Sequence, residues 1–330
     1  MRVFSGVRPS GDLHIGNYLG AVKQWVRLQD DHEVVFGIMD EHAITTPHEP
    51  AELRRYTIET AMIYIATGLD PERITLMVQS HVPAHAELAW ILGTMTPLGE
   101  LERMTQFKEK SLEIGKKHGI MAGLLNYPAL MAADILLYQT ELVPVGEDQA
   151  QHVELARSLA ERFNNRYGKT FTVPEVMIQK ETARIMALDN PRKKMSKSDE
   201  SDRGYILLTD SAETIRDKIK AAVTDSGTEI KYDPEGKPAI SNLLVIFSEF
   251  SGTPIPELVK RYAGKGYEDF KADLAEAIVK GLKPLQTKLA ELKKDPQSVI
   301  AVLGEGSKKA AAIANKTLAE VKQKIGFLSP

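Results

Sequence analysis

Val34-Val35-Phe36-Gly37-Ile38-Met39 is a continuous apolar run of strand length, and Asp40-Glu41-His42 follows it directly. A strand with one wet face alternates apolar and polar residues, whereas an unbroken run belongs in a parallel sheet covered on both faces. Such sheets hold their ligands outside the carboxyl ends of the strands, where these three polar residues fall. In an extended loop adjacent side chains diverge, so the trio is expected to serve a pocket rather than to ligate a metal.

Working outward, Val3-Phe4 opens a short apolar segment that leads through Ser5-Gly6 and Arg8-Pro9-Ser10-Gly11 to His14-Ile15-Gly16-Asn17. Residues 18–28 then show helical spacing at Leu19, Val22 and Val26, with Trp25 alongside. A strand, a glycine-bearing loop and a helix start together present backbone N–H groups and a positive dipole end to an anion. Neither the Walker lysine nor the three-glycine dinucleotide fingerprint is present, so a P-loop NTPase and a nicotinamide dehydrogenase are not supported. Taken alone, His14 also reads as a structural histidine and Gly16 as a turn residue.

Strand and helix signals keep alternating: a helix over 50–67, a strand over 74–78, helices over 85–95, 100–112 and 128–138, and a strand over 142–145. This alternation predicts an α/β fold with a doubly wound parallel Rossmann-like sheet. Within 128–138, Asp134 lies among Met131, Ala132, Ile135 and Leu136, and a carboxylate on an apolar stripe needs a specific donor. Gly146-Glu147-Asp148-Gln149 again puts polar residues at a strand-to-helix junction. Beyond Asp189-Asn190-Pro191 the pattern becomes helical, over 215–223, 243–250, 255–262, 270–292 and 307–325. The expected organisation is a sheet domain at 1–188 and a C-terminal helical domain at 189–330. Lysines crowd that half, from Lys280 to Lys324, and read on composition as solvated helix faces.

The totals bound the function. With 330 residues, 43% hydrophobic and 26% charged, the chain can bury a large core. It has no cysteine, which excludes disulfides, thiolate zinc sites and thiol catalysis. A net charge of −3 argues against coating nucleic acid by bulk electrostatics. Met1-Arg2-Val3-Phe4 begins no signal-peptide run, and the apolar region 124–145 is interrupted by Asn126, Pro128, Asp134, Gln139 and Glu141. A cytoplasmic protein without a membrane span is expected.

At the seam between the two halves stands Lys193-Lys194-Met195-Ser196-Lys197-Ser198. By itself it reads equally as a solvated basic loop and as a phosphate clamp of ammonium groups and hydroxyls. A histidine-glycine loop at the first strand-to-helix turn, combined with this lysine-serine loop after the sheet, resembles the class I aminoacyl-tRNA synthetases. Their signatures are a His-Ile-Gly-His-like tetrapeptide and a Lys-Met-Ser-Lys-Ser loop. The second is intact at 194–198, while Asn17 replaces the last histidine of the first and brings no charge.

Further matches look like the bacterial tryptophan branch of that family: Phe4-Ser5-Gly6 with Pro9-Ser10-Gly11, Gly16-Asn17-Tyr18, the stretch from Gly99 to Lys108, Met131 to Leu136, and Val145 to Gln149. Arg8 stands where many members have glutamine. The resemblance implies ATP-dependent activation of L-tryptophan and its transfer to tRNA(Trp). It implies that Lys194, Ser196 and Lys197, with Lys110, act on the phosphates, and that Arg8, Ser10, His14, Gly16, Asn17, Gly146, Asp148 and Met195 hold ATP. Phe4, His42, Tyr127, Met131, Asp134, Val145 and Gln149 would form the tryptophan pocket, with Asp134 accepting the indole N–H. Also implied are residues 1–188 as the catalytic domain, a last helix packing back on it, a homodimer, and Mg²⁺ arriving with ATP, no protein metal cage being evident. A tyrosyl-tRNA synthetase, a small nucleotidylyltransferase and a non-catalytic tRNA-binding paralogue are the rival readings.

Overall fold

The computed structural model describes residues 1–108, 120–146, 149–178, 184–197 and 201–328. Strands β1 (Arg2–Val7), β2 (Glu33–Ile38), β3 (Thr75–Val78), β4 (Leu142–Val145) and β5 (Glu175–Ile178) form one sheet in the order β3-β2-β1-β4-β5. All pairs are parallel, with Val3 opposite both Val34 and Leu142. The chain builds from β1 to β3 on one side, then returns to add β4 and β5 on the other. That reversal opens a crevice at the carboxyl ends of β1 and β4.

The opening stretch behaves as a doubly covered strand must. Val34, Phe36 and Ile38 join the apolar cluster on one face and Val35 the cluster on the other, because successive side chains point to opposite sides. None of the four is more than 3% exposed. β5 is a strand that the sequence reading does not assign: its apolar run, Val176-Met177-Ile178, is three residues long and lies on the sheet edge with both ends of the strand exposed.

The helices in chain order are α1 (Ile15–Asn17), α2 (Lys23–Asp31), α3 (Asp40–Ala43), α4 (Pro50–Ala66), α5 (Ala84–Gly93), α6 (Leu98–Glu102) and α7 (Ala122–Leu136). They continue as α8 (Ala150–Tyr167), α9 (Ala212–Ala221), α10 (Pro238–Ser251), α11 (Ile255–Arg261), α12 (Tyr267–Leu292) and α13 (Pro296–Ile325). Several depart from the sequence reading. Residues 40–42 form a helical turn rather than an extended loop, and the helix expected over 18–28 starts with a π-turn, Tyr18–Val22. The helix expected over 100–112 breaks after α6, where Met104 is buried and the Thr105 N–H is taken by Gln151 Oε1 at 3.0 Å. α7 begins before Pro128, which lies inside it. Leu124 and Pro128 are both buried there, so packing outweighs the missing N–H.

α13 begins at Pro296, well before the expected 307. Pro296 takes the first turn, where proline needs no N–H partner, and the Asp295 side chain accepts the Ser298 N–H at 3.2 Å. The glycines that read as a break are internal to the helix where it crosses β3. A Cβ on Gly306 would run into the Leu76 carbonyl, and the Ser307 hydroxyl accepts the Val78 N–H at 3.2 Å. Along α12, Phe270, Leu274, Ile278, Leu282, Leu285 and Leu289 form one buried stripe. Lys280, Lys283, Lys288, Lys293, Lys294, Lys308, Lys309 and Lys316 are exposed. No helix among the described residues is long and apolar enough to cross a membrane.

Candidate active site

After β1 the chain loops back to His14, which is an N-cap in extended conformation. The cap is reciprocal: His14 Nδ1 accepts the Asn17 backbone N–H at 3.2 Å, and Asn17 Oδ1 accepts the His14 N–H at 3.3 Å. Burial, followed by the nearby charges of Lys197 and Lys194, holds the His14 imidazole down at about 4. It is therefore neutral near pH 7, and with Nδ1 accepting, the proton sits on Nε2 as a donor. At Gly16 a Cβ would stand 2.9 Å from His14 Nδ1 and 3.4 Å from the Met195 Cβ, so this close approach requires glycine.

The lysine stretch is carried by a small hairpin. The Met195 N–H donates to the Ile185 carbonyl at 3.0 Å, and the Ala187 N–H to the Lys193 carbonyl at 2.8 Å. Asn242 of α10 clamps its edge, accepting the Met186 N–H at 2.9 Å and donating to the Met186 carbonyl at 3.0 Å. The chain beyond then ladders onto the histidine loop, with Ile15 N–H to the Ile206 carbonyl at 2.9 Å and Leu208 N–H to the Leu13 carbonyl at 2.8 Å. Lys197 Nζ crosses to the Ser10 carbonyl at 2.9 Å. Burial lowers the Lys197 ammonium, against a rise from Asp12. Two loops far apart in sequence thus share one wall, with Met195, 3% exposed, as its apolar wedge.

Between them and the sheet lies a cavity of about 550 Å³ at the β1/β4 switch point. It is lined by Phe4, Arg8, Ser10, Asn17, His42, Tyr127, Met131, Asp134, Val145, Gly146 and Gln149. His14, Gly16, Lys194, Ser196 and Lys197 belong to the adjoining loops. Lys110 and Asp148 lie outside the described residues. Arg8 Nη2 donates to Thr46 Oγ1 at 3.1 Å and to the Ala43 carbonyl at 3.4 Å, and burial lowers its guanidinium. The Tyr127 hydroxyl meets His152 Nε2 at 2.8 Å and Gln106 Oε1 at 3.2 Å; burial pushes it up to about 12, against the pull of Arg8.

Asp134, 1% exposed, faces this cavity from α7. Its Oδ1 lies 2.6 Å from His85 Nδ1 and accepts from Gln79 Nε2 at 2.8 Å, while Oδ2 lies 2.7 Å from His42 Nε2. Burial works to raise this carboxyl, but His42 and His85, through charge and hydrogen bonds, outweigh it and leave it lowered. The sequence reading demanded a donor without finding Gln79 or His85. Gln79 follows β3 at a strand's carboxyl end, a position that could have marked it. His85, on an apolar helix face, gives no such signal.

A family model described as tRNA synthetases class I (W and Y) matches residues 1–283. The chain belongs to the class I tRNA synthetases. A Tryptophan--tRNA ligase from Caldanaerobacter subterraneus subsp. tengcongensis is 54% identical, covering 99% of this chain and 98% of that one. The corresponding ligase of Bacillus subtilis is 52% identical, over 98% and 97%. The crystal structure of the Campylobacter jejuni tryptophanyl-tRNA synthetase complexed with ADP and tryptophan superposes with a TM-score of 0.86 at 38% identity, covering 99% of this chain and 100% of that one.

For a synthetase the arrangement has a direct chemical use. The cavity is largely apolar, and Asp134 is the carboxylate among its described lining residues. The adjoining loops offer a neutral imidazole N–H, an amide and ammonium groups, which suit phosphate rather than an acid–base exchange. Among the described residues no group of three or more His, Asp or Glu side chains could hold a metal ion.

Proposed function

We propose that this enzyme joins the carboxylate of L-tryptophan to the α-phosphate of ATP, expelling pyrophosphate, and then passes the tryptophanyl group to the terminal adenosine of tRNA(Trp). The observation that carries this reading is the buried Asp134 carboxylate in a largely apolar cavity that Ser10, the acceptor of Lys197 Nζ, also lines. Indole offers one N–H on a flat apolar ring, which matches one acceptor on an apolar wall. The tryptophan carboxylate is already ionised at neutral pH, so no general base is required. Catalysis consists of alignment and of neutralising the charge that develops on the phosphates.

In this scheme His14 Nε2 and the Asn17 amide donate to ATP, and Lys194 and Lys197 neutralise the departing pyrophosphate. Lys110 and Asp148, by resemblance, serve pyrophosphate and ribose. Mg²⁺ comes as part of the MgATP substrate. Residues 1–188 act as the catalytic domain, and the helical remainder reads the anticodon through stacking and Arg/Lys contacts. A second copy of the chain completes the enzyme. Exposed Trp90, Leu98 and Met121, on or beside the packed helices α5, α6 and α7, support an apolar face for it. The enzyme works in the cytoplasm.

Amino-acid-dependent ATP–pyrophosphate exchange tests the reading. Tryptophan and not tyrosine should support exchange. Lys197→Ala should lower its rate about 100-fold or more while tryptophan affinity stays within about twofold. Exchange driven by tyrosine would overturn the assignment, and tRNA binding without exchange would return the chain to the non-catalytic reading.

A further inference from the structure

Behind Asp134 stands a set of polar groups outside the tryptophan contacts proposed above. His85 and Tyr138 are both 0% exposed, as is Gln79. His85 Nδ1 meets Asp134 Oδ1 at 2.6 Å, and its Nε2 meets the Tyr138 hydroxyl at 2.8 Å. The Tyr138 ring stacks on Phe4 with centroids 5.6 Å apart and planes 8° from parallel. Gln79 donates to the same Oδ1 at 2.8 Å, and its Oε1 accepts the Glu41 N–H at 3.1 Å.

Proton bookkeeping gives this chain a direction. An ionised carboxylate only accepts, so His85 Nδ1 must carry a proton. When the ring is neutral, Nε2 is then an acceptor and the Tyr138 O–H donates to it. Burial first, then the charge of Asp134, raises the Tyr138 phenol and keeps its proton in place. A carboxylate has roughly four acceptor positions. His85, Gln79 and His42 occupy three of them.

We propose that Gln79, His85 and Tyr138 are positioning residues for tryptophan selection: Gln79 and His85, the latter anchored by Tyr138, join His42 in filling three acceptor positions of Asp134 and leave one for the indole N–H. Tyr138 also ties the floor of the pocket to its wall, since one side chain both anchors the His85 ring through Nε2 and stacks on Phe4. The proposal rests on the cavity being the tryptophan pocket. A carboxylate with spare acceptor positions would admit water beside a substrate lacking the N–H and tolerate it. With a single position left, that substrate strands a buried acceptor.

The test compares L-tryptophan with 3-(benzothiophen-3-yl)alanine, in which sulfur replaces the indole N–H, in ATP–pyrophosphate exchange by wild type, Tyr138→Phe and Gln79→Met. Tyr138→Phe keeps the ring on Phe4 and removes only the O–H, so Asp134 still holds the Nδ1 proton of His85 while buried Nε2 loses its partner and the ring its second anchor. The kcat/KM preference for tryptophan should fall about tenfold in Tyr138→Phe and at least as far in Gln79→Met. The loss should appear in the tryptophan KM, with the ATP KM unmoved. An unchanged preference, with both substrates weakened alike, would mean a merely structural role and would overturn the proposal. Absence of tryptophan-dependent exchange in the wild type would instead remove the functional reading and this proposal with it.

Discussion

His14 shows how a single residue can be useful and costly at once. Its imidazole is buried between a reciprocal cap and two lysines, and is held down at about 4 against an ordinary 6.5. The unfolded chain takes up a proton as pH falls through 6.5, whereas the folded chain resists until about 4. The stability that His14 contributes is therefore complete above about pH 6.5 and is lost as pH falls toward 4. Between pH 7.5 and 4.5 the wild type should lose about 2 kcal/mol more than His14→Asn, which retains a capping acceptor. Urea denaturation of both proteins at the two pH values measures the difference. Equal losses would show that the imidazole titrates as freely in the folded protein as in the unfolded one.

At the scale of elements, α13 carries two glycines that should respond in opposite ways. Gly304 has open space around its Cβ position, whereas Gly306 abuts the Leu76 carbonyl of β3. Gly304→Ala should stabilise the protein by up to about 1 kcal/mol through helix propensity. Gly306→Ala should cost about 1–3 kcal/mol, because helix and strand must separate. Denaturation midpoints decide; equal shifts would mean that the crossing is loose. The same helix explains how β3 survives as an edge strand. Its Val78 N–H is capped by Ser307 instead of being left open to another chain.

Over the whole molecule, one apolar cluster runs from Val3 and Phe36 in the sheet to Leu244, Phe270 and Leu303 in the helical half. Both tryptophans of the chain, Trp25 and Trp90, precede residue 189, so their fluorescence reports on the first half alone. Phe270, fully buried and set edge-on to Tyr262 at 5.2 Å, lies in the second half. Phe270→Ala should cost about 3–5 kcal/mol. If the core is one unit, the fluorescence transition should shift together with the 222 nm ellipticity. A fluorescence transition that stays in place while ellipticity moves would show two cores unfolding independently.

Much of this was already legible in the chain. The Val34–Met39 run required a doubly covered parallel sheet, since no half-wet strand tolerates it, and the loops at His14 and Lys194 carried a family resemblance in contiguous residues. Pro128 and Gly306 misled because local propensity loses to burial and to close packing. β5 went unseen because its apolar run, Val176-Met177-Ile178, is too short to signal a strand by itself. What only the tertiary structure decided is who meets whom. Lys197 reaches Ser10, Met195 wedges against Gly16, and Gln79, His85 and His42 converge on Asp134 from three separate elements. Periodicity records which face of an element is buried. It does not record which polar atom on another element will satisfy a buried charge, because that partner is chosen by the packing of elements distant in sequence.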